Sequence, residues 1–378
     1  MQIETLTLNN LRNHVDTSLE LSPGLNLFYG ENGAGKTTVL EAISICSISR
    51  SFMPTSDAAL IRAGQDFYFC SAQCRNRLDM PYKVSVNYVT GRKKAIKSSY
   101  GDNLNPKDII GELPVVALNP DYKSITFGTP ADRRHFLDGL LSQSSRRYME
   151  SLITLKKSLK QRNNLLADAR KLPYFDHTLL DSWTDMFIES AADVMARRVE
   201  FTREFSAVFE RSYRDTFRGK EAVEVRYAPE TATVREEELT KDNIREALSE
   251  RSQRLKHAEL KRGSTLFGPQ KDELTFLING ALAKDAASQG QHKSLLISLK
   301  FAEFIYLQNA RGETPVFLLD DIFSELDDER TARVIDLVLE HRAQSFITAT
   351  DSFRIKAALY PKSSSRTFKV SAGAVIKD

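Results

Sequence analysis

The first thirty residues alternate between apolar and polar positions. Ile3, Leu6 and Leu8 suggest one half-buried strand, and Leu19 with Leu21 suggests a second. Ser22-Pro23-Gly24 marks a turn, followed by the short apolar strand Leu25-Asn26-Leu27-Phe28-Tyr29. Over residues 36 to 48 the spacing becomes helical, with Val39, Leu40, Ile43 and Ile45 apolar. Residues 67 to 97 return to strand patterning: Val84, Val86 and Tyr88 alternate, and Thr90-Gly91-Arg92 turns the chain. From Ala131 to about Arg214 the sequence reads as a helical block, with Tyr148, Leu152, Leu155, Leu159 and Leu166 at helical spacing. Strands are expected near Val223, Val225 and Tyr227, at Thr265-Leu266-Phe267, and from Leu274 to Leu282 around the hairpin signal Asn279-Gly280. A helix around Ser294 to Leu307, the apolar strand Val316-Phe317-Leu318-Leu319, a helix from Arg330 to His341 and a strand from Ser345 to Ile347 complete the pattern.

Composition narrows the class. The 378 residues carry 53 Lys+Arg against 50 Asp+Glu, with 41% apolar and 27% charged, values of a globular chain rather than a disordered one. The length suggests two or three domains. No apolar run approaches the roughly 18 residues of a membrane span, and no basic-then-apolar leader opens the chain. Three cysteines, Cys46, Cys70 and Cys74, cannot form a disulfide framework. A reduced, cytoplasmic chain without a membrane partner is expected.

Gly30-Glu31-Asn32-Gly33-Ala34-Gly35-Lys36-Thr37 matches G-x-x-x-x-G-K-[ST] and lies between an expected strand and an expected helix. Glycines let the backbone wrap a phosphate, and the helix N-terminus adds its dipole. Lys36 would bridge the β- and γ-phosphates, and the Thr37 hydroxyl would ligate Mg²⁺. The apolar strand ending in Asp320 supplies a second Mg²⁺-holding group, and Asp321 is placed to orient or deprotonate an attacking water. The six histidines, at 14, 135, 177, 257, 292 and 341, show no close-spaced pairing, so no metal beyond Mg²⁺ is indicated. About thirty residues before Asp320, Ala287-Ser288-Gln289-Gly290-Gln291 opens a helix. It resembles the signature motif of ABC-type ATPases, and Ser324-Glu325-Leu326-Asp327 resembles their D-loop. The signature there contacts the γ-phosphate held by the other subunit.

Longer stretches resemble the RecF family, bacterial DNA-repair ATPases built like an SMC head without the long coiled coil. They are Asn10-Leu11-Arg12-Asn13, the phosphate loop with Leu40-Glu41-Ala42-Ile43, and Ser49-Arg50-Ser51-Phe52. Further on come Asp132-Arg133-Arg134-His135-Phe136-Leu137-Asp138, Lys160-Gln161-Arg162-Asn163, Ser288-Gln289-Gly290-Gln291 and the run from Leu318 to Asp327. Departures are Gly268-Pro269-Gln270-Lys271-Asp272-Glu273 for Gly-Pro-His-Arg-Asp-Asp, and Asn119-Pro120-Asp121-Tyr122 for Ser-Pro-Glu-Asp. Thr348-Ala349-Thr350-Asp351 stands where many ABC proteins have a switch histidine.

The resemblance implies an α/β fold. This is an ABC-type P-loop ATPase head with a mixed sheet and flanking helices over 1–138 and 252–378, and an inserted, mainly helical domain over 139–251. It implies ATP and Mg²⁺ as cofactors. Catalysis falls to Lys36, Asp321 and Ser288, and the metal to Thr37 and Asp320. The nucleotide falls to Arg12, Asn13, Gly30, Glu31, Asn32, Gly33, Ala34, Gly35, Lys36, Thr37, Thr38, Ser288, Gly290, Gln291 and Asp327. The implied partners are double-stranded or gapped DNA, a second copy recruited by ATP, and RecR and RecO, which help load RecA in recombinational repair, replication restart and the SOS response. Hydrolysis would be slow and DNA-stimulated. A chromosome-maintenance or defence switch, or a transporter ATPase subunit, is the competing reading.

Charge runs bear on the DNA expectation. Residues 146 to 171 hold eight basic side chains (Arg146, Arg147, Lys156, Lys157, Lys160, Arg162, Arg170, Lys171) against Glu150 and Asp168. A second cluster holds Arg251, Arg254, Lys256, Lys261 and Arg262. Such clusters suit sequence-blind phosphate contacts and equally a solvated helix face. Arg133 and Arg134 are open to DNA, nucleotide or acidic neighbours.

Overall fold

The computed structural model describes residues 1–170, 177–217, 221–230, 239–351 and 365–378. Two compact units emerge, one of Met1–Tyr122, Ser212–Gly219 and Ser294–Asp378, the other of Lys123–Arg211 and Lys220–Lys293. In chain order the elements are β1 (Gln2–Leu11), β2 (His14–Glu20), β3 (Leu25–Tyr29), α1 (Lys36–Ile48), α2 (Asp57–Leu60), β4 (Phe67–Arg75), β5 (Pro81–Val89), β6 (Ala95–Ser98), β7 (Gly101–Leu104) and β8 (Val115–Leu118). Then come α3 (Lys123–Phe127), α4 (Pro130–Ser144), α5 (Arg146–Ala169), α6 (His177–Phe217), β9 (Val223–Ala228), α7 (Lys241–Arg262), β10 (Glu273–Ile278), β11 (Ala281–Leu282), α8 (Ala283–Ala286) and α9 (Gln289–Arg311). The chain closes with β12 (Val316–Asp320), α10 (Asp328–Glu340), β13 (Ser345–Ala349), β14 (Ser365–Ser371) and β15 (Ala374–Lys377).

The first unit holds two six-stranded sheets. One is antiparallel in the order β2-β1-β4-β5-β6-β7, and its strands bury alternate residues such as Ile3, Leu6 and Leu8. The other runs β15-β14-β3-β13-β12-β8 and is parallel except for the terminal β14–β15 pair. Parallel strands covered on both faces read as continuous apolar runs. Every residue of β12 and β13 is accordingly buried. Helix α1 packs against strands of both sheets, which explains why eleven of its thirteen residues are buried. Gln344 links these layers: its amide accepts from Ile3 N–H (2.7 Å) and donates to the carbonyls of Ile3 and Ser22 (2.8 Å each).

In the second unit, helices α4, α5, α7 and most of α6 accompany the small sheet β11-β10-β9. Along α5, Leu152 and Leu155 are buried while Lys156, Lys157 and Lys160 are exposed, as the spacing predicted. Residues Thr265-Leu266-Phe267 are not a strand. Side chains satisfy their backbone instead: Thr265 N–H and hydroxyl both donate to Asn163 Oδ1 (2.8 and 2.7 Å). The signature-bearing helix α9 starts at Gln289 and extends past Leu307 to Arg311.

Arg162 does not belong to a basic surface. It is buried, forms a bidentate pair with Glu259 (3.1 and 2.6 Å), donates to Thr184 and Thr265 hydroxyls, and lies 5.1 Å from the Phe267 ring centroid. Arg251 pairs with Glu230, and Lys256 with Asp181 at 3.0 Å. Lys171 lies outside the described residues. Arg133 is held by Glu273 (2.9 and 3.0 Å), and Arg134 donates to the Asp272 carbonyl (2.7 Å), so both turn to their own unit. Buried Arg198 then ties the Asp132–Asp138 and Gly268–Glu273 segments together. It reaches Asp138 (2.9 Å), Asp272 (3.1 Å) and the Pro269 carbonyl (3.0 Å).

Removing one partner of a buried ion pair leaves an uncompensated charge, which costs about 3–5 kcal/mol. Arg162→Met is therefore expected to lower the unfolding free energy by roughly that amount in urea titration. A variant of native stability with weakened DNA binding would restore Arg162 to the surface cluster.

Candidate nucleotide-binding site

The site begins where β3 ends. Gly30 needs a backbone that leaves space, because a Cβ there would run into the Val370 carbonyl of β14. Gly35, at φ 107°, caps α1 in the left-handed region that favours glycine. Lys36 folds back, its ammonium donating to the carbonyls of Gly30 (2.7 Å) and Glu31 (2.8 Å). Burial pulls the Lys36 pKa down, and the charges of Asp321 and Asp320 work against that shift.

Across the sheet, β12 delivers Asp320 to the first turn of α1. Thr37 Oγ1 donates to Asp320 Oδ1 at 2.8 Å, and Thr348 Oγ1, from the paired position on β13, donates to the same oxygen at 2.7 Å. Asp321 follows in the left-handed region at φ 49°, and its N–H donates to Thr348 Oγ1 at 2.9 Å. One threonine hydroxyl thus sets the position of both carboxylate residues. Burial raises the Asp320 pKa, and the two threonine hydrogen bonds counteract it in part.

These groups border a cleft of about 490 Å³, a size suited to a small-molecule ligand. Of the residues read from sequence, Arg12, Asn13, Asn32, Gly33, Gly35, Lys36, Thr37, Thr38 and Asp321 line it. Gly30, Glu31 and Ala34 complete the loop behind, and Asp320 reaches the cleft through Thr37. Asp327 does not line the cleft; it caps α10, accepting from Arg330 N–H at 2.8 Å. Ser288, Gly290 and Gln291 belong to the second unit. There exposed Ser288 and half-buried Gln291 cap each other, Ser288 N–H donating to Gln291 Oε1 (2.8 Å) and Gln291 N–H to Ser288 Oγ (3.2 Å).

The cleft also contains residues to which sequence reading assigned no role: Glu41, Met53 and Thr348. Glu41 is buried and grips Arg12 by two hydrogen bonds (2.6 and 2.8 Å), while Ser51 Oγ donates to it at 2.8 Å. That contact raises the Arg12 pKa. Glu41 lies one turn beyond Thr37 on α1, a helical spacing that signals a neighbour of the loop.

Two hard oxygen donors, one of them a buried carboxylate, suit Mg²⁺, which is held by few protein groups and completes its shell with phosphate and water. Among the described residues there is no group of three or more His, Cys, Asp or Glu that could hold a metal ion. Nor is any described helix long and apolar enough to cross a membrane.

A raised folded-state pKa means that the ionised carboxylate is disfavoured by folding. Above that pKa the metal-free protein bears the full penalty, and below the unfolded carboxylate value of about 3.9 it bears none. Asp320→Asn is thus expected to raise the melting temperature of the nucleotide- and metal-free protein at neutral pH, with the gain vanishing as pH falls through that window. Equal melting temperatures at pH 7 would show that the penalty is already relieved.

Comparison with known proteins identifies the family. The RecF/RecN/SMC N terminal domain family matches residues 2–374. The DNA replication and repair protein RecF of Chlorobium phaeovibrioides is 36% identical over 352 residues, 93% of this chain and 94% of that one. Its counterpart in Halalkalibacterium halodurans is 34% identical over 351 residues, 93% of each. Among solved structures, one described as the recombination mediator protein RecF-ATPrS in the RecFOR pathway has a TM-score of 0.90 at 28% identity, covering 99% of this chain and 97% of that chain. The corresponding RecF-ATP structure gives 0.90 at 27% identity, covering 100% and 97%. An Smc head bound to the C-winged helix domain of ScpA, at 15% identity and TM-score 0.56, shares the fold alone. The chain belongs to the RecF family of DNA replication and repair proteins and has the ABC-type ATPase head fold with a helical insert.

Proposed function

We propose that the cleft binds ATP with Mg²⁺, and that two copies of the chain close head to head on double-stranded or gapped DNA until slow hydrolysis separates them. The observation that carries this reading is the 2.8 Å contact between Thr37 and Asp320. It brings the end of the phosphate loop and the carboxylate of a distant strand to one point, where a nucleotide-bound cation would sit. Mg²⁺ would neutralise phosphate charge and polarise the γ-phosphoryl group. Lys36 exchanges its loop carbonyls for the β- and γ-phosphates, as a point charge on a flexible stem can. Arg12, held by Glu41, offers a preset cation at the cleft edge. Asp321, beside Asp320 and locked by Thr348, orients the attacking water. Ser288, Gly290 and Gln291 at the start of α9, with Asp327, serve the nucleotide of the partner copy. Exposed Ser288 at a helix N-terminus suits such an anion.

DNA contact is assigned to exposed Lys156, Lys157 and Lys160 of α5 and Arg254, Lys261 and Arg262 of α7, helices that pack together. Such contacts are sequence-blind and weaken with salt. The names of the RecF relatives, and the RecFOR pathway named for a solved RecF, support a role in DNA repair beside RecO and RecR; we place that role in the cytoplasm and have it help load RecA.

Light scattering tests the cycle. Asp321→Asn is expected to accumulate a dimer in MgATP, further stabilised by gapped DNA, whereas Lys36→Ala stays monomeric. Ser288→Arg is expected to bind ATP yet neither dimerise nor hydrolyse it. A native chain that stays monomeric in saturating MgATP with DNA present would overturn the reading.

A further inference from the structure

The phosphate loop is braced from behind. Three successive carbonyls of the loop are each held by a donor from outside it. Gly33 O accepts from Asn13 Nδ2 (3.1 Å), Ala34 O from the N–H of Gly373 (2.9 Å), and Gly35 O from His14 Nε2 (3.0 Å). Because the peptide group is planar and trans, its carbonyl and the following N–H point in opposite directions. Tying Ala34 O and Gly35 O to the back therefore turns the N–H groups of Gly35 and Lys36 to the other side. An anion nest needs that orientation, and an untethered glycine-rich loop samples many others.

Both braces are built to one geometry. His14 is fully buried, and burial lowers its pKa, which favours the neutral ring. With a carbonyl as its partner, Nε2 carries the proton, and Nδ1 accepts from the Thr17 hydroxyl at 3.0 Å. Gly373 sits at φ 81° in the β14–β15 turn, where a Cβ would run into the Asn13 carbonyl oxygen. Phe368 of β14 stacks on Phe28 of β3, with centroids 4.8 Å apart, and fixes the hairpin beside the strand that feeds the loop.

We propose that His14 and Gly373 are positioning residues of the nucleotide site, which makes the C-terminal hairpin part of the phosphate-binding apparatus. This rests on the cleft being the nucleotide site. Neither residue touches the ligand; each acts through a loop carbonyl. One such hydrogen bond is worth about 0.5–1.5 kcal/mol, or roughly a two- to tenfold change in affinity.

Titration of the full chain with fluorescent mant-ADP and Mg²⁺ tests this, since ADP engages the loop without requiring a second copy. Gly373→Ala and His14→Phe are each expected to weaken ADP roughly three- to tenfold and to shrink the ADP-induced rise in melting temperature. His14→Gln, which keeps a side-chain N–H donor, is expected to recover most of the affinity. Native affinity in Gly373→Ala or in folded His14→Phe overturns the proposal, as does a His14→Gln variant no better than His14→Phe. If His14→Phe does not fold, Gly373→Ala decides alone. A native chain that binds no mant-ADP refutes the nucleotide reading itself, whereas native binding with unchanged variants refutes only the bracing.

Discussion

Asp320 is a carboxylate at the end of a wholly buried strand, and two threonine hydroxyls answer its charge. A buried charge is tolerated only where hydrogen bonds or counter-charges meet it, and neutral hydroxyls meet it incompletely. Much of the architecture serves to bring those hydroxyls there. Thr37 comes from the first turn of α1 and Thr348 from β13, and the strand order β3-β13-β12 decides that both reach the same oxygen. That shortfall in neutralisation is what supports the proposal that a cation joins the site.

Local signals were readable from sequence because their physics is local. The loop from Gly30 to Thr37 needs glycines at particular backbone angles, and the strand before Asp320 needs unbroken apolar residues. The helix at 36–48, the basic face of α5 and the Asn279-Gly280 hairpin likewise follow from spacing within a few residues. What escaped depends on distant partners. Arg162 and Glu259 lie 97 positions apart, and a count of charges places Arg162 in a basic cluster without showing its partner. Thr265-Leu266-Phe267 has strand composition, yet the Asn163 side chain takes the hydrogen bond that a neighbouring strand would have made. Glu41 and Thr348 lie in stretches compared with known families and His14 in none, yet the role of each comes from what folding sets beside it.

The second unit shows a contrasting use of charge. Arg198 and Arg162 sit in its interior with carboxylates and hydroxyls satisfying their donors. Apolar packing often stabilises a core at least as well; here the ion pairs join particular segments of the chain. In Arg198 the cation joins two stretches more than 130 residues apart along the chain, Asp138 and Asp272. A segment that resembles a family motif, Asp132–Asp138, is thereby tied to one that departs from the family pattern, Gly268–Glu273.

Strand β3, which leads into the phosphate loop, lies between β13 and β14. Both flanking strands come from residues 345–371, so the loop at residues 30–37 gains its walls only after a long stretch of downstream chain has been made. Domains generally fold as units during synthesis, beginning from the N-terminal side. Here the intervening helical unit can fold first, while the nucleotide cleft is assembled only once residues 345–371 are available. A truncated translation product would therefore carry the phosphate-binding sequence without a competent pocket.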